Sequence, residues 1–326
     1  MSYSLPFCSI HPSYISLNRE VVIKNSTSNY YSEKDDRLNQ MLKSKRTAEG
    51  YLSLNAKRKL NKAIEYLLYL SAEKKVYNRL TRKTFNFKVA FITLTLSSEQ
   101  MHSDNEIRKK LLNQMLVEFR KYYNVKNYVW RAEKQKNGNI HFHIIIDRFI
   151  PWWELRNRWN RIQNKLGYVD RFKERIRMQK RVTKEKYNNP NSVDIHSLYR
   201  VRNIKKYLSK YLSKNVKNAN ELTEEEKSKL LVKGRLWGAN QELSNVKGAR
   251  VLVDREIESE LIKLIESDNS KVLNEDYYSI IFIDITKLSK KDYPNLISEF
   301  EKYVKNTFER TTYEESIELI STCGPA

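Results

Sequence analysis

The feature that most constrains this chain is a short apolar run containing two histidines. The run covers residues 139–147 and directly follows an Asn-Gly turn signal. On a β-strand, residues two apart point to the same face. His141 and His143 are therefore predicted to project side by side, while Phe142 points into a core. Two converging imidazoles form half of a metal site, and the alternative is a pair of strand histidines that bind nothing.

Composition indicates an anionic partner. Lys and Arg number 61 against 39 Asp and Glu, which gives a formal net charge of +22 and a pI of about 9.7. A phosphate backbone rewards many cationic contacts through the release of counterions. The 21 tyrosines suit stacking against the bases of a single strand, although a compositional bias of the gene accounts for part of that number. Nucleic acid is the expected partner.

Several other classes of protein are not expected. The two cysteines, Cys8 and Cys323, offer neither a disulfide framework nor a cysteine-based zinc site. The chain has no G-x-x-x-x-G-K-S/T phosphate loop, so an NTP-driven motor is not predicted. No apolar run approaches transmembrane length, and the N-terminus lacks a signal-peptide core. We expect a cytoplasmic protein with no membrane partner and no small-molecule cofactor.

The residue pattern divides the chain into three parts. Residues 1–84 are predicted to form an arm and a basic amphipathic helix, residues 85–250 the main domain, and residues 251–326 an α/β extension of unknown role. In the main domain, strands are predicted at 85–96, 128–134, 140–147 and 192–198, and helices at about 104–122, 152–166 and 201–215.

Glu133 is a candidate third metal ligand. It lies eight residues before His141, so an odd effective loop length would place it opposite a histidine on the same face of a hairpin. A two- or four-residue loop would place it on the wrong face unless a bulge intervened. Two imidazoles and one carboxylate suit a divalent cation acting as a Lewis acid, and the residues alone leave Mg²⁺, Mn²⁺, Zn²⁺ and Fe²⁺ open.

A candidate nucleophile lies further along the chain. Tyr207 and Tyr211 are four apart on a predicted helix and share one face, and Lys210 and Lys214 each follow a tyrosine by three residues. A free phenol has a pKa of about 10, and nearby ammonium groups or a metal favour the phenolate. Attack of a phenolate on a phosphodiester would give a 5′-phosphotyrosyl link and a free 3′-OH. The alternative is two packed tyrosines beside solvated lysines.

Three segments together resemble the motifs of HUH endonucleases of the rolling-circle replication initiator type. In chain order they are Phe91-Ile92-Thr93-Leu94-Thr95, Glu133 with His141-Phe142-His143, and Tyr207-Leu208-Ser209-Lys210-Tyr211-Leu212-Ser213-Lys214. The resemblance implies that the two histidines and the acid bind Mg²⁺ or Mn²⁺ and that the tyrosine cuts DNA. The doubled Tyr-x-x-Lys is similar to the two-tyrosine initiators of microviruses and some plasmids.

The resemblance also implies a fold, a substrate and partners. We expect an α+β fold with an antiparallel sheet of about five strands flanked by helices, with a helical N-terminal and a mixed C-terminal extension. The implied activity is nicking and joining of single-stranded or hairpin origin DNA in a bacterial host, beside a host helicase and polymerase. The residues expected to contact DNA are Thr93, Thr95, Arg131, Arg175, Arg177, Lys180, Arg181 and Lys206.

Three alternatives remain open. A HUH transposase or a mobilisation relaxase would share the chemistry, although relaxases usually place the tyrosine before the histidines and single-strand transposases are usually shorter. An iron-dependent oxygenase also uses two histidines and an acid, but it would not need a charge of +22. A non-catalytic nucleic-acid-binding module would need the charge without the histidine pair or the tyrosine helix.

Overall fold

The computed structural model describes residues 6–18, 50, 52–78, 82–178, 189–198, 206, 208, 223, 225, 229, 231–267, 270–274 and 278–309. The chain forms two compact units, one from residues 1–33 with 245–326 and the other from residues 34–244. Each unit contains a five-stranded antiparallel sheet together with helices. The α+β prediction is therefore confirmed.

The strands in the described residues are numbered in chain order. They are β1 (Phe7–His11), β2 (Tyr14–Asn18), β3 (Lys74–Asn78), β4 (Lys83–Phe87), β5 (Val89–Leu94), β6 (Tyr128–Lys134), β7 (Ile140–Ile146), β8 (Val193–Leu198), β9 (Trp237–Ala239), β10 (Ala249–Leu252), β11 (Lys271–Asn274) and β12 (Tyr278–Phe282).

The helices are numbered in the same way. They are α1 (Leu54–Leu70), α2 (Asp104–Ile107), α3 (Asn113–Tyr123), α4 (Trp152–Asn164), α5 (Tyr168–Met178), α6 (Gln241–Asn245), α7 (Arg255–Glu266) and α8 (Pro294–Val304). A π-helical turn, Arg108–Leu112, joins α2 to α3. In the described part of the chain, no helix has the length and apolar character needed to span a membrane.

The main sheet of the unit formed by residues 34–244 has the strand order β8-β5-β7-β6-β9, with every neighbouring pair antiparallel. One of its faces is apolar: Ile92, Phe142 and Ile144 are fully buried in a core shared with side chains of α3 and α4. Since side chains alternate along a strand, His141 and His143 lie on the opposite face. The helical layer thus leaves the histidines on the other side of the sheet.

Two predicted elements differ from the observed ones. The strand predicted over residues 85–96 is two strands, β4 and β5, separated by a bend at Lys88. Phe87 and Val89 on either side of the bend are both fully buried, within a backbone that does not continue as one straight strand. The helix predicted to run to about Tyr77 ends at Leu70, and the next residues form β3, which pairs with β4 in a separate two-stranded ribbon.

The second unit joins the two ends of the chain in one sheet. Its strand order is β10-β1-β2-β12-β11. Strands β1 and β2 lie in the segment that the sequence pattern predicted to be an arm, and they pair with β10 and β12 from the far end of the chain. Helices α7 and α8 pack together in this unit, and α8 contacts β1 and β10.

Candidate metal centre

The hairpin formed by β6 and β7 brings the three predicted metal ligands together. Glu133 lies directly opposite His141, and Arg131 lies directly opposite His143. The paired residues Lys134 and Ile140 enclose a five-residue connection, so the effective loop length is odd. The condition set by the sequence is therefore met, and Glu133 shares a face with both histidines.

The turn has local chemistry that fixes this length. The backbone N–H of Gln135 donates to the carbonyl of Asn139 at 2.8 Å, and the N–H of Gly138 donates back to the carbonyl of Gln135 at 2.9 Å. Gly138 has φ +83°, a left-handed conformation that glycine adopts at little cost. The Asn139 side chain is buried, accepting from the N–H of Gln100 at 2.9 Å and donating to the carbonyl of Ser98 at 2.9 Å.

The ligand atoms of the triad are close enough to share one cation. Glu133 Oε2 lies 3.6 Å from His141 Nε2 and 3.4 Å from His143 Nε2. One donor atom from each of the three residues lies within 4.8 Å of the others. The side chains retain only 23%, 16% and 12% exposure, in the order Glu133, His141, His143. The triad is therefore a possible metal-binding site that is largely shielded from water.

Two atoms of this cluster lack the partners that burial normally demands. Glu133 Oε1 and His141 Nε2 are buried and have no hydrogen-bond partner among the described residues. A buried polar atom without a partner loses about 1–3 kcal/mol relative to its hydrated state. An imidazole nitrogen and a carboxylate oxygen are both common ligands of divalent metals. The residues present therefore fit a cation that binds both atoms.

The electrostatics of the cluster keep its donors in the forms that bind metals. Burial by itself raises the pKa of the Glu133 carboxyl, but the two imidazoles and the Arg131 guanidinium outweigh it and lower that pKa to about 2. Burial lowers the pKa of His141 below its usual value. Metal ligation requires an ionised carboxylate and a neutral imidazole, and these pKa shifts favour both.

Thr93 holds the second histidine from behind. Its Oγ1 lies 3.1 Å from His143 Nδ1, and β5 places the two residues directly opposite each other. Phe91 stacks on the same imidazole, with ring centroids 5.3 Å apart and planes 14° from parallel. A partner at Nδ1 orients the ring and leaves Nε2 to a metal. Thr93 was predicted to contact DNA, and the structure places its hydroxyl against a candidate ligand.

A buried ion pair at the other face of the hairpin was not predicted from the sequence. Lys134 Nζ lies 2.6 Å from Asp104 Oδ1, and the two side chains are only 9% and 5% exposed. The carboxylate also accepts from the side chain of Gln100 at 2.6 Å and from the N–H of Lys233 at 2.9 Å. Because Lys134 is next to Glu133, it faces the helical layer. A lysine at an inward position of a central strand was the available signal.

Arg131 lies behind Glu133. It is 3% exposed, its Nη1 donates to the carbonyl of Leu236 at 3.3 Å, and its Nε is 4.0 Å from Glu133 Oε1. Burial lowers its pKa to about 10, so it remains a cation at neutral pH. Its observed contacts are with the protein, and its charge acts on the carboxylate of the triad.

The remaining predicted site residues are spread over several elements. Thr95 donates from Oγ1 to the carbonyl of Ser192 at 3.1 Å, and Arg175 and Arg177 are exposed on α5. Lys206 is exposed and helical. The predicted residues that lie outside the described residues are Lys180, Arg181, Tyr207, Lys210, Tyr211 and Lys214.

A family model for replication-associated proteins of the ORF2 type matches residues 89–216 of the chain. The matched segment begins at β5, includes the whole triad and extends past the tyrosine motif. The match supports a role in the initiation of replication, and with it binding to DNA. Comparison with curated proteins and with solved structures found no match.

Proposed function

We propose that this protein is a site-specific enzyme that nicks and rejoins single-stranded DNA to start rolling-circle replication. The observation that carries the proposal is the buried triad of Glu133, His141 and His143, with two donor atoms unsatisfied. The triad lies inside the segment matched by a replication-associated family. The strongly cationic composition agrees with a DNA substrate.

The triad would hold a divalent cation, Mg²⁺ or Mn²⁺ by resemblance to HUH endonucleases. Such a cation supplies Lewis acidity that withdraws charge from a phosphodiester oxygen. Glu133 contributes the negative charge of the site, and Arg131 keeps that carboxylate ionised. Thr93 and Phe91 fix the plane of the His143 ring.

Tyr207, or Tyr211 in a second round, is the proposed nucleophile. The phenolate oxygen forms a bond to phosphorus while the bond from phosphorus to the 3′ oxygen breaks, and the departing 3′ oxygen takes a proton to become a free 3′-OH. The phenol proton passes to solvent or to a neighbouring base. Lys210 and Lys214 are proposed to favour the phenolate by their charge. Attack by a 3′-OH on the phosphotyrosine reverses these steps and joins the strand.

The proposed partners follow from this chemistry. A single-stranded or hairpin origin exposes the phosphodiester to the triad face of the sheet. Since the chain has no phosphate-loop motif, strand separation is assigned to a host helicase and synthesis to a host polymerase, in the bacterial cytoplasm. Arg175, Arg177, Lys180, Arg181 and Lys206 are proposed to bind the DNA backbone.

A covalent-adduct assay tests the proposal. The full chain is incubated with a pool of single-stranded oligonucleotides and Mn²⁺, and a protein–DNA adduct is sought on a denaturing gel. We expect an adduct that chelation of the metal prevents. The variant H141A should form none, yet it should retain salt-dependent DNA binding because the charges that drive binding lie elsewhere.

Tyrosine variants provide the matched controls. Y207F and Y211F should each reduce the adduct, and the double variant should abolish it. Y122F removes a hydroxyl from another exposed tyrosine and should leave the adduct unchanged. An undiminished adduct in the double variant would show that the nucleophile lies elsewhere, and absence of any adduct from the wild type would contradict the nicking proposal.

A further inference from the structure

The ribbon of β3 and β4 is a second feature that points to a ligand. It forms a two-stranded sheet separate from both five-stranded sheets of the described residues. Its strands pair antiparallel, with Lys75 opposite Asn86 and Tyr77 opposite Thr84. Because side chains alternate along each strand, these four residues share one face, here called the outer ribbon face.

The other face of the ribbon fixes it to the protein. Val76 and Phe85 pack against the main core, and Phe85 meets Phe149 edge to face with ring centroids 5.3 Å apart. Lys74 Nζ donates to the carbonyl of Asp147 at 2.9 Å. The ribbon is thus held along one side, and its outer face is presented in a defined orientation.

The outer ribbon face is polar and open. All four of its residues are exposed, and Tyr77 reaches 58% exposure. Neither strand contains Asp or Glu. In residues 1–33 and 245–326 the acidic residues outnumber Lys and Arg, so the whole positive excess lies in the unit that carries the ribbon.

The dimensions of this face match duplex DNA. The major groove of B-DNA, about 12 Å wide, admits a two-stranded β-ribbon. The two cross-strand pairs are separated along the ribbon by about 6.8 Å, twice the rise per strand residue, and this is about two base-pair steps. Lysine, asparagine and hydroxyl side chains are the groups that hydrogen-bond to base edges in that groove.

We infer that the outer ribbon face binds duplex DNA in the major groove and reads its sequence. The inference rests on the proposed function for the identity of the ligand as DNA, and it adds a double-stranded recognition element to an enzyme that cuts a single strand. The duplex would be a hairpin stem or a double-stranded flank of the cleavage site. Lys75 and Asn86 would supply direct base contacts, and Tyr77 and Thr84 hydroxyl contacts.

The test uses the full chain and duplexes of about 20 base pairs with a randomised centre, which span about two turns of the major groove and are enriched by repeated rounds of binding. Affinity for the enriched duplex is measured by fluorescence anisotropy at fixed salt. We expect the double variant K75A/N86A to bind at least about tenfold more weakly, while its affinity for the single strand of the same sequence changes less than about twofold. Replacing purines by 7-deazapurines removes major-groove acceptors and should weaken the wild type but not the variant.

The matched control is K109A/N113A, which removes the same two residue types from an exposed helical surface. It should change duplex affinity less than about twofold, and both variants should melt within a few degrees of the wild type. Wild-type duplex affinity in K75A/N86A would overturn the inference. An equal loss on single strands and duplexes would also overturn it, since that result indicates general charge rather than groove reading.

The two proposals fail separately. H141A should retain wild-type duplex affinity because the triad is not part of the ribbon. A wild type that forms no adduct but binds duplex through the ribbon would contradict nicking alone. A wild type that forms the adduct but is insensitive to K75A/N86A in duplex binding would contradict the ribbon inference alone.

Discussion

Two antiparallel hairpins in the same unit use the same alternation for opposite purposes. In the β6–β7 hairpin the polar face is enclosed, and Glu133, His141 and His143 retain less than a quarter of their exposure. In the β3–β4 ribbon the polar face is open, and Lys75 and Tyr77 are exposed. Both hairpins place their apolar side chains against one core.

The difference shows that burial of the polar face decides what such a strand pair can do. Enclosed polar groups must satisfy one another or bind a ligand, because water does not reach them. Their separations therefore become fixed, which suits a metal site. Solvated groups lose little by remaining unpaired, so they are free to contact a large partner, and each of them contributes little to stability.

The largest expected contrast concerns the lysines of the two hairpins. K134M leaves the Asp104 carboxylate buried without its cation and should destabilise the protein by about 3–5 kcal/mol. K75M removes an exposed charge and should change stability by no more than about 0.5 kcal/mol. The free energies are measured by urea unfolding. The double variant K134M/D104N should recover part of the loss, and equal effects of K134M and K75M would contradict the comparison.

The next contrast concerns the threonines. T93V removes the hydroxyl that contacts His143 Nδ1 and should weaken Mn²⁺ binding by about 10–100-fold, as measured by titration calorimetry. T93S retains the hydroxyl and should restore most of the affinity. T84V makes the same change on the ribbon and should leave Mn²⁺ affinity as it is. If T93V binds the metal like the wild type, Thr93 does not position the ligand.

A smaller effect is expected at the turn of the metal hairpin. Gly138 has φ +83°, and a Cβ there would meet only a carbonyl oxygen at 3.8 Å. G138A therefore imposes backbone strain without a clash, and it should destabilise the protein by about 1 kcal/mol. Thermal unfolding would check this value, and an unchanged melting temperature would show that the turn relaxes.

The smallest effect is expected beside the ribbon and has the opposite sign. Arg82 adopts φ +54°, a conformation that asparagine tolerates better than arginine. R82N should therefore stabilise the protein by about 0.5 kcal/mol. The same unfolding measurement applies, and the control R175N changes an exposed arginine on a helix, where no gain is expected. A loss of stability in R82N would mean that the arginine side chain makes a contact worth more than the strain.

The sequence predicted the triad because its logic is local. Alternation along β7 places His141 and His143 on one face, and the even spacing to Glu133 needs only an odd loop. The buried pair of Lys134 and Asp104 was not predicted, because the two residues are 30 apart in the chain and are separated by a helix whose path the pattern does not specify. Asp104 was instead included as the first residue of a predicted helix.

The pairing of the two chain ends was also beyond the sequence pattern. Strands β1 and β12 lie on either side of β2 in one sheet, although they come from opposite ends of the chain. Short strands near a polar N-terminus carry a weak periodic signal, and what stabilises them is hydrogen bonding to a distant partner. The bend at Lys88 had the same origin, since burial of both its neighbours is a tertiary property.

For this protein, the sequence alone determined which side chains share a face, which residues can ligate a cation and which sign of charge the partner carries. These properties depend on side-chain chemistry and on the two-residue period of a strand. Tertiary structure alone decided which polar faces are enclosed, which groups stand behind the ligands and where the ribbon is fixed. Those properties depend on which elements pack against each face, and packing joins residues that the chain places far apart.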